Sequence, residues 1–178
     1  MILKVKNISQ IGGVVKAPPS KSYSHRAVIL ASLAEGTSKL YDMLYSEDTL
    51  ASIRVCEALG AQINRTDEYL EVIGTGGKLH NSSVDAIDLA NSGTTLRLMT
   101  SVSALSDNEV ILTGDDSLQT RPMGLLMNAL RPLGVETESL NDNEKAPILI
   151  KPGYHGGETN IYGNVSSQFI SSILISSP

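Results

Sequence analysis

The chain has 178 residues, of which 41% are apolar and 19% charged, a balance that excludes a disordered tail or a membrane-embedded protein and suits one ordinary domain or two small ones. Fourteen basic against nineteen acidic residues give a net charge of −5 with no basic run, which argues against a nucleic-acid surface, because that affinity comes from phosphate neutralisation. One cysteine and three scattered histidines make neither a disulfide nor a four-ligand metal site, and 4% aromatics are too few for a base-stacking platform, so a small-molecule partner and a reducing cytoplasm are expected.

Residues 1–9 alternate apolar and polar like a strand and lack the apolar stretch of a secretion signal; no segment approaches the roughly 20 apolar residues of a membrane span. Breaks rich in Gly or Pro at Gly12-Gly13, Pro18-Pro19, Gly36, Gly74 to Gly77, Gly114, Pro147 and Pro152 to Gly157 divide the rest into short elements. Apolar residues at three-to-four spacing predict helices over 24–33, 49–59, 92–105 and 122–133. Strands are predicted over 61–64, 69–73, 109–113, 135–138 and 148–151. The order helix, strand, helix, strand, strand thus occurs twice. The copies overlay with Arg26 on Arg97, 71 residues apart, and with Gly60 on Gly134, 74 apart, each glycine following the Leu that ends a helix. A third copy begins at Val165-Ser166-Ser167-Gln168-Phe169, and its helix over 167–175 has no strands of its own to cover an open apolar face of Phe169, Ile170, Ile173 and Leu174. A chain cut from a longer product is the expectation.

Each first helix opens on small hydroxyl or amide residues: Ser20-Lys21-Ser22-Tyr23-Ser24, Asn91-Ser92-Gly93-Thr94-Thr95 and Ser166-Ser167-Gln168. A helix start exposes free N–H groups and the positive end of the helix dipole, and short hydroxyls let an oxyanion come close. Capping explains one Ser or Thr per helix, worth about 1 kcal/mol, and leaves the surplus hydroxyls for a ligand. Lys21, Arg26 and Arg97 stand at these starts, and Arg121 precedes Pro122 at another; guanidinium grips phosphate or carboxylate through two bonds, and Lys adds a point charge. Lys4, Lys6, Lys16, Lys39, Lys78 and Lys145 have no companion motif and read as solvated surface charge. His25 reads as structural rather than as a general base, Cys56 as a buried small hydrophobe, and Asp115-Asp116 as a turn. Gly74-Thr75-Gly76-Gly77 lacks the spacing of a nucleotide loop running into a helix and reads as a hairpin or linker.

Pro18-Pro19-Ser20-Lys21-Ser22-Tyr23-Ser24-His25-Arg26-Ala27 resembles the N-terminal signature of the 5-enolpyruvylshikimate-3-phosphate (EPSP) synthases. Leu89-Ala90-Asn91-Ser92-Gly93-Thr94-Thr95-Leu96-Arg97 is similar to that family's Asn-x-Gly-Thr-x-x-Arg segment, Arg121-Pro122-Met123 to its Arg-Pro turn, and Val165 to Phe169 to its Ser-Ser-Gln segment. The four motifs keep the family's order, and the resemblance runs from about Ile8 to Pro178, in a family whose members are more than twice this length. It implies an inside-out α/β barrel of βαβαββ units, here two full units and the start of a third, with helix N-termini facing an interdomain cleft. Residues 1–12 would be a strand and linker packed with the missing C-terminal domain, and residues 13–178 a shikimate-3-phosphate-binding domain, incomplete at its C-terminus.

The reaction implied by the resemblance transfers the enolpyruvyl group of phosphoenolpyruvate to the 5-hydroxyl of shikimate 3-phosphate and releases phosphate, with no cofactor and no metal. By matching motif, Lys21, Ser22, Arg26, Ser166, Ser167 and Gln168 would bind shikimate 3-phosphate, and Lys21, Gly93, Arg121 and Gln168 phosphoenolpyruvate, with Asn91, Thr94 and Arg97 supporting the loop. Gly93 would also meet glyphosate, which occupies the family's phosphoenolpyruvate site. The acid and base carboxylates belong to the missing half, so no catalytic residue is expected here, and half a cleft should bind weakly without turnover. One alternative, UDP-N-acetylglucosamine enolpyruvyl transferase, shares the fold but commonly carries a Cys before its Arg-Pro; residues 114–121 hold none. The other, a non-catalytic anion-binding or assembly module, would cover the last helix with a protein partner and would show itself by self-association. Neither a nucleic-acid nor a membrane partner is expected.

Overall fold

In a computed structural model the chain is described over residues 3–177 apart from 5, 8, 11 and 84. The strand expected over 1–9 lies outside the described residues at positions 1, 2, 5 and 8, and its other residues carry no strand. The elements follow as α1 (Lys21–Leu33), β1 (Thr37–Tyr41), α2 (Glu47–Ala58), β2 (Gln62–Arg65), β3 (Tyr69–Ile73), β4 (Ile87–Asp88), α3 (Gly93–Val102), β5 (Val110–Thr113), α4 (Gly124–Leu130), β6 (Thr137–Ser139), β7 (Ile148–Ile150) and α5 (Ser167–Ser176). From residue 20 onward the helices and strands located from the residue pattern form, with ends displaced by at most three residues; β1 is the strand implied between the first two helices, and β4 is unpredicted. Short 3-10 turns at Ser103–Leu105 and Arg131–Leu133 tighten the ends of α3 and α4.

A serine caps each of the four long helices. Ser20, Ser46, Ser92 and Ser166 accept from the backbone N–H of Tyr23, Thr49, Thr95 and Gln168 respectively. In α2 the Thr49 hydroxyl oxygen accepts in return from the Ser46 N–H at 2.8 Å, a capping box, and Glu47 and Asp48 set negative charge against the positive end of the helix. Gly74 to Gly77 is the connection that follows β3, and it satisfies the last carbonyls of α1, with Thr75 N–H donating to Ser32 O at 2.9 Å and Gly76 N–H to Ala34 O at 3.0 Å. A Cβ on Gly74 would strike the carbonyl oxygens of Ala31 and Ala34, which is why glycine stands there.

The strands form two sheets, one ordered β1-β3-β2 and antiparallel throughout, the other β4-β5-β7-β6, in which β4 runs parallel to β5 and the other pairs are antiparallel. β1, β3 and β2 correspond to β5, β7 and β6, so the duplication read from spacing is repeated in strand pairing. Each sheet turns one face inward: Leu70 and Val72 from β3, Val110 and Leu112 from β5, and Ile148 and Ile150 from β7 are at most 1% exposed while their neighbours are not. α3 has Leu96, Leu98, Met99 and Val102 all buried and packs against both α2 and α5, as a helix apolar on most sides must.

The expected open face on α5 is corrected by the packing. Phe169 is buried in the core, Ile173 is half-buried, and only Ile170 and Leu174 remain exposed. Small side chains bring α5 onto α3: Ser172 Oγ donates to Leu98 O at 3.0 Å, and Ser176 Oγ lies 3.0 Å from Ser101 Oγ. That close approach carries the Phe169 ring inward.

Candidate functional site

The first turns of the four capped helices meet, and side-chain bonds close them into a ring. Lys21 Nζ pairs with Asp48 Oδ2 at 2.5 Å, joining α1 to α2. Ser52 Oγ lies 2.8 Å from Thr95 Oγ1, joining α2 to α3. Arg97 donates to Gln168 Oε1 at 2.8 Å while Gln168 Nε2 donates to Thr94 Oγ1 at 3.0 Å, joining α3 to α5. Arg26 donates to Ser171 Oγ at 3.1 Å and returns the ring to α1. Arg97 and Gln168 are equivalent positions of successive copies, so the internal repeat places its own copies in contact.

Beside the ring, lined from α1, α2, α3 and the turn at Arg121, lies an open cleft of about 370 Å³ in which Lys21, Arg97 and Arg121 supply positive charge and Gly93 and Thr94 a helix start, with Asn91 alongside; no residue of α5 lines it. Burial, and after it the nearby Arg121, pulls the Arg97 guanidinium below its ordinary pKa. Asp48 is the one carboxylate lining this space and answers only Lys21. Three cations and several converging helix N-termini therefore face one anion, and a phosphate or carboxylate ligand would restore the balance. Asp115 makes the expected turn, accepting from the Leu118 N–H at 2.8 Å ahead of Arg121, and its other oxygen accepts from Asn91 Nδ2 at 3.0 Å.

The expected surplus of ligand hydroxyls is smaller than the sequence implies. Ser24 Oγ donates to Ser20 O and accepts from Leu44 N–H, both at 2.9 Å, and Thr95 is buried in hydroxyl contacts, so both are spent within the protein. Ser22 and Ser167 stay exposed, Ser166 caps α5, and Arg26 is anchored through Ser22 O and Ser171. Asp48, Ser52 and Ser171 escape sequence reading. Asp48 lies in the acidic first turn of α2, which reads there as a helix start and nothing more.

His25 is fully buried, as its structural reading requires; burial, then the Lys21 and Arg26 charges, hold its pKa down at about 4 against the pull of Asp48, so the ring is neutral near pH 7. Burial likewise pushes the Cys56 thiol up to about 12, which leaves it unreactive. A larger cavity of about 520 Å³ lies beside His80, Asn81 and Asn108, but its polar groups already serve the protein: His80 pairs with Asp107 at 2.7 Å, Asn81 donates to Glu109 O at 2.6 Å and Asn108 to Asn81 O at 3.0 Å. Among the described residues no helix is long and apolar enough to cross a membrane, and no three metal-ligating side chains cluster.

A family model described as EPSP synthase (3-phosphoshikimate 1-carboxyvinyltransferase) matches residues 5–178. The 3-phosphoshikimate 1-carboxyvinyltransferase of Methanobrevibacter smithii is 76% identical over 178 residues, all of this chain and 41% of that protein. The enzyme of the same name from Methanothermobacter thermautotrophicus is 55% identical over 178 residues, again all of this chain and 42% of that protein. A solved EPSP synthase from Acinetobacter baumannii, 28% identical, superposes with a TM-score of 0.83 over 92% of this chain and 37% of its own. The chain thus spans about two fifths of the length of the curated relatives it matches.

Proposed function

The chain belongs to the EPSP synthase family, and from that premise we propose that it is the shikimate-3-phosphate-binding part of an enzyme transferring the enolpyruvyl group of phosphoenolpyruvate to the 5-hydroxyl of shikimate 3-phosphate. In this reading Lys21, Ser22, Arg26, Ser166, Ser167 and Gln168 hold shikimate 3-phosphate. Lys21, Gly93, Arg121 and Gln168 meet phosphoenolpyruvate, and Asn91, Thr94 and Arg97 support the loop. The observation that carries the proposal is the cationic cleft at the meeting point of the helix starts, because both substrates are anions and their transfer requires them side by side.

Residues 13–178 form the binding domain, and residues 1–12 pack with a second domain; the exposed Leu3 of that segment is apolar surface that such packing would cover. That second domain supplies the acid, the base and further cations, so the chain alone binds its substrates weakly and does not turn over. A buried, unreactive Cys56 is compatible with the cytoplasm.

Titration with shikimate 3-phosphate, followed by amide NMR, tests the reading, with UDP-N-acetylglucosamine as control. Selective shifts are expected at Lys21, Ser22, Arg26 and residues 166–168; a response to the control sugar nucleotide alone would overturn it. Gly93→Ala gives an independent check. A Cβ there would meet nothing nearer than Arg97 Nη1 at 3.5 Å, an ordinary contact, so the fold should be unaffected. The same methyl projects toward a ligand resting on the helix start, so phosphoenolpyruvate and glyphosate affinity should both fall; unchanged binding of both would remove Gly93 from the site.

A further inference from the structure

Behind the cleft runs a chain of buried polar groups. His25 Nδ1 lies 2.7 Å from Ser52 Oγ, Ser52 Oγ 2.8 Å from Thr95 Oγ1, and Thr95 Oγ1 2.7 Å from Ser92 Oγ. All four residues are at most 1% exposed, and they belong to three different helices. Ser92 is the cap of α3, immediately before Gly93 and Thr94, while Thr95 Oγ1 also reaches Asp48 O at 3.3 Å. One end of the chain is thus fixed in α1, a turn beyond Lys21, and the other in the helix start that lines the cleft.

Hydrogen-bond directions follow from what is cheapest to bury. His25 Nε2 is buried with no partner, and a bare lone pair there costs less than an orphaned N–H, which assigns the proton to Nδ1. Nδ1–H then donates to Ser52 and Ser52 to Thr95; the single Thr95 hydroxyl proton goes to Asp48 O, a carbonyl that can only accept, so Ser92 donates to Thr95 Oγ1 and accepts from the Thr95 N–H in return. Each hydroxyl both accepts and donates, so losing the imidazole leaves Ser52 without the donor that orients it, and the disorder passes along to the α3 cap.

We infer that His25 is a positioning residue for the anion cleft: through Ser52 and Thr95 it holds the α3 start, Ser92 to Thr94, in place against Lys21 and Asp48. The inference deepens the phosphoenolpyruvate assignment above and rests on it for its choice of ligand. His25 touches no substrate in this role. Core filling alone would make any apolar residue of similar size an adequate replacement; positioning requires a polar atom at Nδ1.

The test compares His25→Leu, His25→Asn and Thr95→Val with Val28→Ala, a buried α1 variant outside the polar chain that controls for destabilisation. Asn branches at the same carbon as His and can place an amide group near the Nδ1 position, without the orphaned Nε2. Phosphoenolpyruvate affinity, measured with shikimate 3-phosphate present and with thermal midpoints as a check on folding, should fall about tenfold in His25→Leu and Thr95→Val, the scale of one lost buried hydrogen bond. It should stay near the parent value in His25→Asn and in Val28→Ala. Equal losses in Val28→Ala, or no rescue by Asn, would reduce His25 to a core residue. Should the parent chain bind no phosphoenolpyruvate, the assignment of the ligand fails and the positioning role is still read from ligand-free amide shifts: Ser92, Gly93 and Thr94 must move in His25→Leu and stay in His25→Asn, and unmoved signals in the leucine variant would overturn it.

Discussion

Phe169→Ala is expected to lower the unfolding free energy by about 3–5 kcal/mol, the range for truncating a buried aromatic. Phe169 is the chain's single phenylalanine, 1% exposed, and it heads the fully buried side chains by volume. Its ring fills the space between α5 and the core, with the Arg97 guanidinium 6.0 Å from the ring centroid. The α3–α5 contact deeper along the helices includes the small Ser101, Ser172 and Ser176, which cannot expand into the vacated volume. A loss of this size is a large share of the 5–15 kcal/mol typical of a domain. Urea unfolding gives the magnitude, and hydrogen exchange should show α5 protection falling first. Because α5 carries Ser166, Ser167 and Gln168, shikimate 3-phosphate affinity should fall with it. A cost under about 1 kcal/mol would mean that α5 is held by its hydrogen bonds rather than by the ring.

Lys21→Met should leave stability almost unchanged and weaken anion binding severely. The Lys21 side chain is about half exposed, and an ion pair of that kind contributes less than about 1 kcal/mol to folding. A hydrogen bond from a charged donor to a bound phosphate is worth about 1.5–3 kcal/mol, or roughly 10- to 150-fold in affinity. The substitution also frees the Asp48 carboxylate to repel the incoming anion. Lys21→Met with Asp48→Asn should therefore recover part of the lost affinity for shikimate 3-phosphate, measured by calorimetry at fixed ionic strength. A less than twofold effect of the single variant would remove Lys21 from the site.

The sequence reveals this fold where local rules act alone. The helices show themselves by apolar spacing and by Ser caps, and the repeat by Arg26, Arg97 and Gln168 falling at one interval. β4 is invisible because two residues, Ile87 and Asp88, carry no periodicity, and its existence depends on β5 lying alongside. The fate of Phe169 is hidden for a related reason: helical spacing shows an apolar face, whereas burial is decided by the neighbour that Ser172 and Ser176 allow to approach. At the site the basic residues stand out because charges at helix starts are few in a net acidic chain. Asp48 does not, since its partner Lys21 is 27 residues away and an acidic first turn is what any α2 would prefer. Ser24 and Thr95 count as ligand groups in a linear reading because only packing shows where a hydroxyl is spent.

The closed ring of helix starts also sets an order of events. Its last two links, Gln168 to Arg97 and Ser171 to Arg26, join residues 71 and 145 positions apart. During synthesis the first two copies can collapse on their own local pairings, whereas Arg97 and Thr94 of the cleft lack their Gln168 partner until α5 has emerged and docked. A nascent chain stopped short of residue 166 would thus carry three of the converging positive helix ends and all six arginines with neither Gln168 nor Phe169 to fix them. Maturation of the cleft is then paced by the arrival of α5, whose bond to Arg26 spans the longest separation of any side-chain hydrogen bond among the described residues, and not by the formation of the helices that line it.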